Sequence, residues 1–214
     1  MLTVYGRATS SNVQAVMWCI AELGLEVKRL DYGHVYGGLD TTEFGTMNPH
    51  RVVPVVVDGN GPPIWESAAI IRYLATQYGD ETFWPRDPAR RAEVDMWAEW
   101  SKLSLATSYT APIFWPLVRR RASERDEVAL AVAIQKMNGL IVRLNDRLNA
   151  SPWIGGDHFS PADIMAGHVL YRYFTVPMER ADAPAVTAYY ARLQDRPAYR
   201  EHVMVSYDPL RPKD

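Results

Sequence analysis

"LTVYGRATSSNVQAVMWCIAELGLEVKRLD", residues 2–31, changes its grammar twice, and those changes decide the fold. Leu2–Gly6 is a short β-rich run that Gly6 ends. Val13, Val16, Met17, Ile20 and Leu23 then fall on one face of a helix, and Gly24 follows as a stop signal. Leu25–Asp31 returns to extended character. Further along, "VVPVVVDGNG" (52–61) reads as a buried strand over Val52–Val57, with Asp58-Gly59 and Asn60-Gly61 turning toward a second strand at Ile64-Trp65. Glu66-Ser67 opens a helix that carries Ile70, Ile71 and Leu74, and Gly79 closes it. The order βαβ, then ββα, predicts a thioredoxin-like sheet.

In such a sheet the loop after the first strand is the chemical site. Redox members place C-x-x-C there, whereas this chain has Ser10-Ser11-Asn12. A hydroxyl cannot form a disulfide, but it can donate a hydrogen bond to the sulfur of a ligand. One of these residues, Ser11 or Asn12, is expected to cap the helix and leave Ser10 to the ligand. Pro54 conflicts with a central strand because it lacks an N–H. A cis Val53-Pro54 bond resolves the conflict and turns the Val53 backbone outward, where an extended peptide could pair with it. Ser67 at a helix start suits a carboxylate, and Glu66 beside it suits an ammonium group; together they suit an amino-acid head group.

After "GDETFWPRDP" (79–88) the pattern becomes helical throughout. Met96, Trp97, Trp100, Leu103, Ser104 and Thr107 predict one long helix interrupted near Pro112 and Pro116. Ser123–Asp126 resembles a capping box. Leu130, Ile134, Met137, Ile141, Leu144 and Leu148 form a bundle seam. Ser160, Pro161 and Asp163 mark another helix start, and a last pattern through Val186, Tyr189, Tyr190 and Leu193 stops before Pro197. The expected architecture is an α/β thioredoxin-like domain over 1–80, a linker over 81–88 and an all-α helical bundle domain over 89–214.

Composition narrows the function class. The chain has 214 residues, 48% hydrophobic and 22% charged, with Lys+Arg 23 against Asp+Glu 25. A net charge of −2 gives no footprint for nucleic acid or a membrane surface, and Arg119-Arg120-Arg121 reads as a solvated helix end. No leader pattern is visible and no apolar run approaches the ~20 residues of a membrane span, so a cytoplasmic protein is expected. The single Cys19 excludes an intrachain disulfide and a multi-cysteine metal site. It sits mid-helix, as a buried inert thiol would. No metal and no bound cofactor are expected.

"SSNVQAVMWCIAELGLE", "TTEFGTMNPHRVVPVVVDG", "PIWESAAIIRYLATQYG", "WIGGDHFSPADI" and "YYARLQDRPAY" together resemble the cytosolic glutathione transferases, nearly end to end. The chain is most similar to bacterial theta-, phi- or nu-like members with serine at the active centre. The resemblance implies glutathione as co-substrate, a small apolar electrophile as second substrate, a cis Val-Pro bond, a homodimer and a detoxifying transferase activity. It makes Ser10 the thiolate-stabilising hydroxyl, with Asn12 and Ser11 beside it. Val53 and Pro54 match the segment that pairs with the cysteinyl unit, and Glu66 and Ser67 match the γ-glutamyl grip. His50 and Arg51 resemble the basic region at the glycyl carboxylate, although Val52 stands where many members have Lys or Arg. Trp100, Tyr109 and Trp115 are assigned to the electrophile pocket, which the family builds from the helical domain. Glutathione-dependent disulfide or peroxide reduction, and a non-catalytic glutathione-binding module, are the alternatives.

Overall fold

Strand β1 (Leu2–Tyr5) lies at the heart of a four-stranded sheet ordered β2-β1-β3-β4 in the computed structural model, which describes residues 1–212. β2 (Val27–Leu30) runs parallel to β1, with Leu2 opposite Val27. β3 (Val55–Asp58) is antiparallel to β1, and β4 (Ile64–Trp65) is antiparallel to β3. Helix α1 (Ser11–Glu22) makes the crossover between β1 and β2, and α3 (Ser67–Tyr78) follows β4. The βαβ–ββα order is as expected. The Val53-Pro54 bond is cis, and β3 begins at Val55 rather than Val52, so the missing proline N–H falls outside the ladder. The polar stretch after β2 holds a helix absent from the sequence reading. Helix α2 (Thr42–Met47) is a short turn with a single buried apolar anchor, Phe44, and Thr41 caps it by accepting from the Phe44 N–H at 3.2 Å.

Helix α1 is buried on more than the one face its spacing indicates, since Gln14, Ala15, Trp18 and Cys19 are covered as well. The reason is its position between the sheet and helices from both halves of the chain. α7 (Pro161–Thr175) comes so close that a Cβ on Gly167 would lie 2.8 Å from the Trp18 ring. Burial pushes the Cys19 thiol well above its ordinary pKa and keeps it unionised.

Asp80 pins the segment that joins the halves by accepting from the Thr82 and Phe83 N–H groups, and Phe83 and Trp84 are buried. Helix α4 (Pro88–Trp100) starts at the Asp87 cap. The expected interruption near the prolines is instead a widening. Ser101–Ala106 and Thr110–Arg119 wind in π-helical turns on either side of a single α turn, α5 (Thr107–Tyr109). Wide turns accommodate Pro116, which has no N–H to offer a regular helix. Helix α6 (Glu127–Ala150) is capped by Asp126, not Ser123, which lies in a preceding 3-10 turn. Its seam is buried as expected, with Ile134 only partly covered. At α7 Ser160 is the N-cap and Pro161 the first helical residue as read, and buried Asp163 accepts from the Ser160 N–H and hydroxyl, the Ile154 N–H and the Tyr189 hydroxyl. α8 (Pro184–Gln194) ends before Pro197, which opens a further short helix, α9 (Pro197–His202). Among the described residues no helix is long and apolar enough to cross a membrane.

Candidate functional site

The loop between β1 and α1 is held from below. Arg172 of α7, almost wholly buried, donates to the Thr9 carbonyl at 2.8 Å and to Gln14 Oε1 at 3.2 Å. Gln14 in turn donates to the Ala8 carbonyl at 2.9 Å. Burial lowers the Arg172 pKa to about 10, so the guanidinium stays charged at neutral pH. Ser10 is the N-cap of α1 by backbone position, and its carbonyl accepts from the Gln14 N–H at 2.9 Å. Its hydroxyl makes no capping bond. This corrects the expectation that Ser11 or Asn12 caps the helix: no hydroxyl caps α1, and Ser11 is its buried first residue. The Ser10 side chain is left available to a ligand at the positive end of the helix.

A second helix start converges on the first. Ser67 is the buried first residue of α3, and Glu66 before it is exposed with φ +66°. Positive φ at a non-glycine residue is strained and recurs where a backbone must present itself to a ligand. Lys102, from the first wide-turn segment, joins the two starts. Its ammonium donates to Asn12 Oδ1 at 2.8 Å and to Ser67 Oγ at 2.9 Å. Burial lowers its pKa, and the charge of Glu66 opposes the shift. The sequence reading missed Lys102. Its one signal is a lone cation among small and apolar residues, "SKLSLA".

Ser11, Asn12, Lys102, Thr107, Thr110 and His168 line a cavity of about 210 Å³ at this junction. His168 is buried, with Nδ1 3.2 Å from the Ile164 carbonyl. Burial first, and the nearby Lys102 charge second, hold its pKa down to about 3, so the imidazole is neutral.

The remaining candidates divide. Val53 stands just beyond Val55, the last paired residue of β3, beside the cis Pro54. His50 packs edge-on against Trp65 with centroids 5.0 Å apart, while its N–H binds buried Asn48. Arg51, at φ +54°, donates to the carbonyls of Leu39 and Thr41 and so anchors the loop before α2. The three aromatic candidates do not meet. Tyr109 is fully buried against Phe114 and Tyr173. Trp100 packs on Trp97 and faces a separate groove, about 610 Å³, between α4 and α6. Trp115 is 44% exposed with the Arg119 guanidinium 5.3 Å over its ring.

Family models described as the glutathione S-transferase N-terminal and C-terminal domains match residues 1–76 and 122–192. Glutathione S-transferase GstB of Escherichia coli K12 is 35% identical over 96% of this chain and 99% of its own length. The chain belongs to the glutathione S-transferase family. A theta-class transferase from Xanthomonas axonopodis pv. citri, solved with glutathione bound, superposes with a TM-score of 0.90 at 38% identity, covering 96% of this chain and 98% of that one. The Bombyx mori transferase BmGSTD1 shares the fold at a TM-score of 0.85 and 23% identity, covering 98% of this chain and 95% of its own. This transferase thus combines the family's thioredoxin-like N-terminal domain with its helical C-terminal domain.

Proposed function

We propose that this transferase binds glutathione across the two converging helix starts and holds its sulfur as a thiolate beside Ser10, for attack on an electrophile. The observation that carries the reading is Lys102 spanning Asn12 and Ser67, opposite Glu66. A γ-glutamyl head group carries one carboxylate and one ammonium. Ser67, the N–H groups that open α3 and Lys102 suit the carboxylate, and exposed Glu66 suits the ammonium. Val53, beyond the end of the ladder, is the backbone partner for the cysteinyl unit.

A free thiol with a pKa near 8.5 is only a few per cent ionised at neutrality. Lowering that pKa by about two units requires ~2.7 kcal/mol of preferential stabilisation of the anion. One charge-assisted hydrogen bond contributes roughly 1.5–3 kcal/mol, so the Ser10 hydroxyl and the positive end of α1 suffice without a general base. The sulfur then bonds to the electrophilic carbon as the leaving group departs with its electron pair. Of the three aromatic candidates the apolar wall is assigned to Trp115, since Tyr109 is enclosed and Trp100 faces the α4–α6 groove. The working unit is a homodimer, a reading supported by the exposed Met96 on α4 and Leu103 in the wide-turn segment after it.

Calorimetry with glutathione and the Ser10→Ala variant test the reading together. Ser10→Ala is expected to keep the fold, bind glutathione and lose at least about tenfold in turnover, the low end of one charge-assisted bond. An unchanged rate removes Ser10 from the mechanism, and absent binding heat with wild-type protein removes the reading itself.

A further inference from the structure

Two arginines beside the β1–α1 loop stand among cations, and among the described residues neither pairs with an acid. Arg7 precedes Ser10 in that loop, and its carbonyl accepts from the Ser10 N–H at 3.1 Å. The Arg7 Nε is buried without a hydrogen-bond partner. Its guanidinium reaches Gly33, where a Cβ would come within 3.4 Å of it. Arg119 closes the second wide-turn segment and covers the half-open face of Trp115.

The electrostatics describe one cluster. Burial and then Arg119 lower the Arg7 pKa; burial and then Arg7 and Arg119 lower that of His34. Buried Arg172 feels Arg7 as well. Among the described residues neither Arg7 nor Arg119 forms an ion pair. Like charges gathered at the edge of a site, one with a buried unanswered N–H, create a local field that draws anions. Arg119 was read from sequence as part of a solvated triplet; the structure separates it by its stack on Trp115.

We propose that the electrophile this transferase prefers carries a carboxylate on an apolar body, the carboxylate received by Arg7 and Arg119 and the body laid on Trp115. The inference rests on the reading of Ser10 as the thiolate site. Glutathione has two carboxylates of its own. On the reading above the γ-glutamyl one is received by Ser67 and Lys102, and the family resemblance sends the glycyl one to the His50–Arg51 region. The arginine pair at the loop is therefore left for the second substrate. Planar guanidinium groups grip carboxylates through paired N–H donors, and Arg119 is exposed beside the Trp115 ring.

The test compares para-(chloromethyl)benzoate with its methyl ester, which share a reacting carbon and differ in charge. In each case glutathione sulfur forms a bond to the benzylic carbon, chloride leaves with the electron pair, and the thiol proton passes to solvent. After correction for uncatalysed rates, the acid should exceed the ester in kcat/KM by about tenfold or more. That ratio should fall toward unity in Arg119→Gln, invert in Arg119→Glu and shrink with added salt. Because the readout is a ratio within one preparation, partial misfolding of a variant cancels. Equal use of acid and ester by the wild type overturns the inference. So does a ratio unchanged in both variants, including the case where only KM for glutathione rises and Arg119 serves the glycyl carboxylate. Absence of glutathione binding and of conjugation with either compound overturns the Ser10 reading first and this inference with it.

Discussion

Replacing Lys102 with methionine keeps the length and the apolar stem of the side chain and removes only its charge and donors. The ammonium that disappears touches Asn12 Oδ1 at 2.8 Å and Ser67 Oγ at 2.9 Å, so it lies where a carboxylate bound to Ser67 would meet it. A charge-assisted hydrogen bond contributes about 1.5–3 kcal/mol, which corresponds to roughly ten- to a hundredfold in affinity. Lys102→Met should therefore weaken glutathione binding by at least about tenfold by calorimetry, the lower end of that range. The pKa of the bound thiol should move much less, because the sulfur belongs beside Ser10 at the other side of the α1 start.

The pH dependence gives the same idea a second readout. Burial sets the Lys102 pKa below its ordinary 10.5 in the free protein. Binding that needs the charged ammonium must then decline as pH rises through that lowered value, sooner than an exposed lysine would allow. Lys102→Met, with no ammonium of its own to lose, should lack that part of the alkaline decline and keep only the part due to the ammonium of glutathione itself. The thiolate is followed by the ultraviolet absorbance of the bound sulfur, and affinity by titration at each pH. Unchanged affinity together with a raised thiol pKa would refute the assignment and make Lys102 a partner of the sulfur.

Two further predictions concern the groups that support the site. Asp163→Ala strips the acceptor from four donors inside the core and should cost about 3–5 kcal/mol, measured by urea unfolding; a loss below about 1 kcal/mol would show that water replaces it. His168 stays neutral in the folded protein down to about pH 3, whereas the unfolded chain takes up its proton near 6.5. The unfolded state then binds more protons across that window, so stability falls as pH drops through it. His168→Gln should flatten that part of the stability curve relative to wild type, and an identical slope would exclude the residue.

The N-terminal half was legible because its signals are local. Gly6, the Val13–Leu23 spacing and Gly24 define a strand and a helix without reference to anything distant; Ser10 lies at the start of that helix, as Glu66-Ser67 lie at the start of α3. Helix α2 escaped because one buried Phe44 makes no period. The α1 cap was misassigned for a related reason. Sequence shows four small polar residues in a row, but the backbone is fixed by Arg172, which lies in α7 and has no pattern linking it to Thr9.

The helical half was legible as helices and illegible as a site, and the cause is the departure from regular winding after Trp100. On a regular helix, at about 100° per residue, Trp115 would fall within about 60° of Trp100, whereas Tyr109 would already point to the opposite face. Each wide turn takes up extra chain, so residues that would share a face on a regular helix are rotated away from one another. Trp115 consequently leaves the face of Trp100, which lines the groove toward α6, and emerges at the surface, while Tyr109 enters the core. The same displacement delivers Lys102 to Ser67 at one end of the segment and Arg119 to the cluster with Arg7 and His34 at the other. The first domain thus supplies helix ends, hydroxyls, Glu66 and Arg7, while this one irregular helix adds the cations Lys102 and Arg119. On that division, restoring regular winding should damage the charge of the site before it damages the fold, since Lys102 and Arg119 reach the loop only through the wide turns.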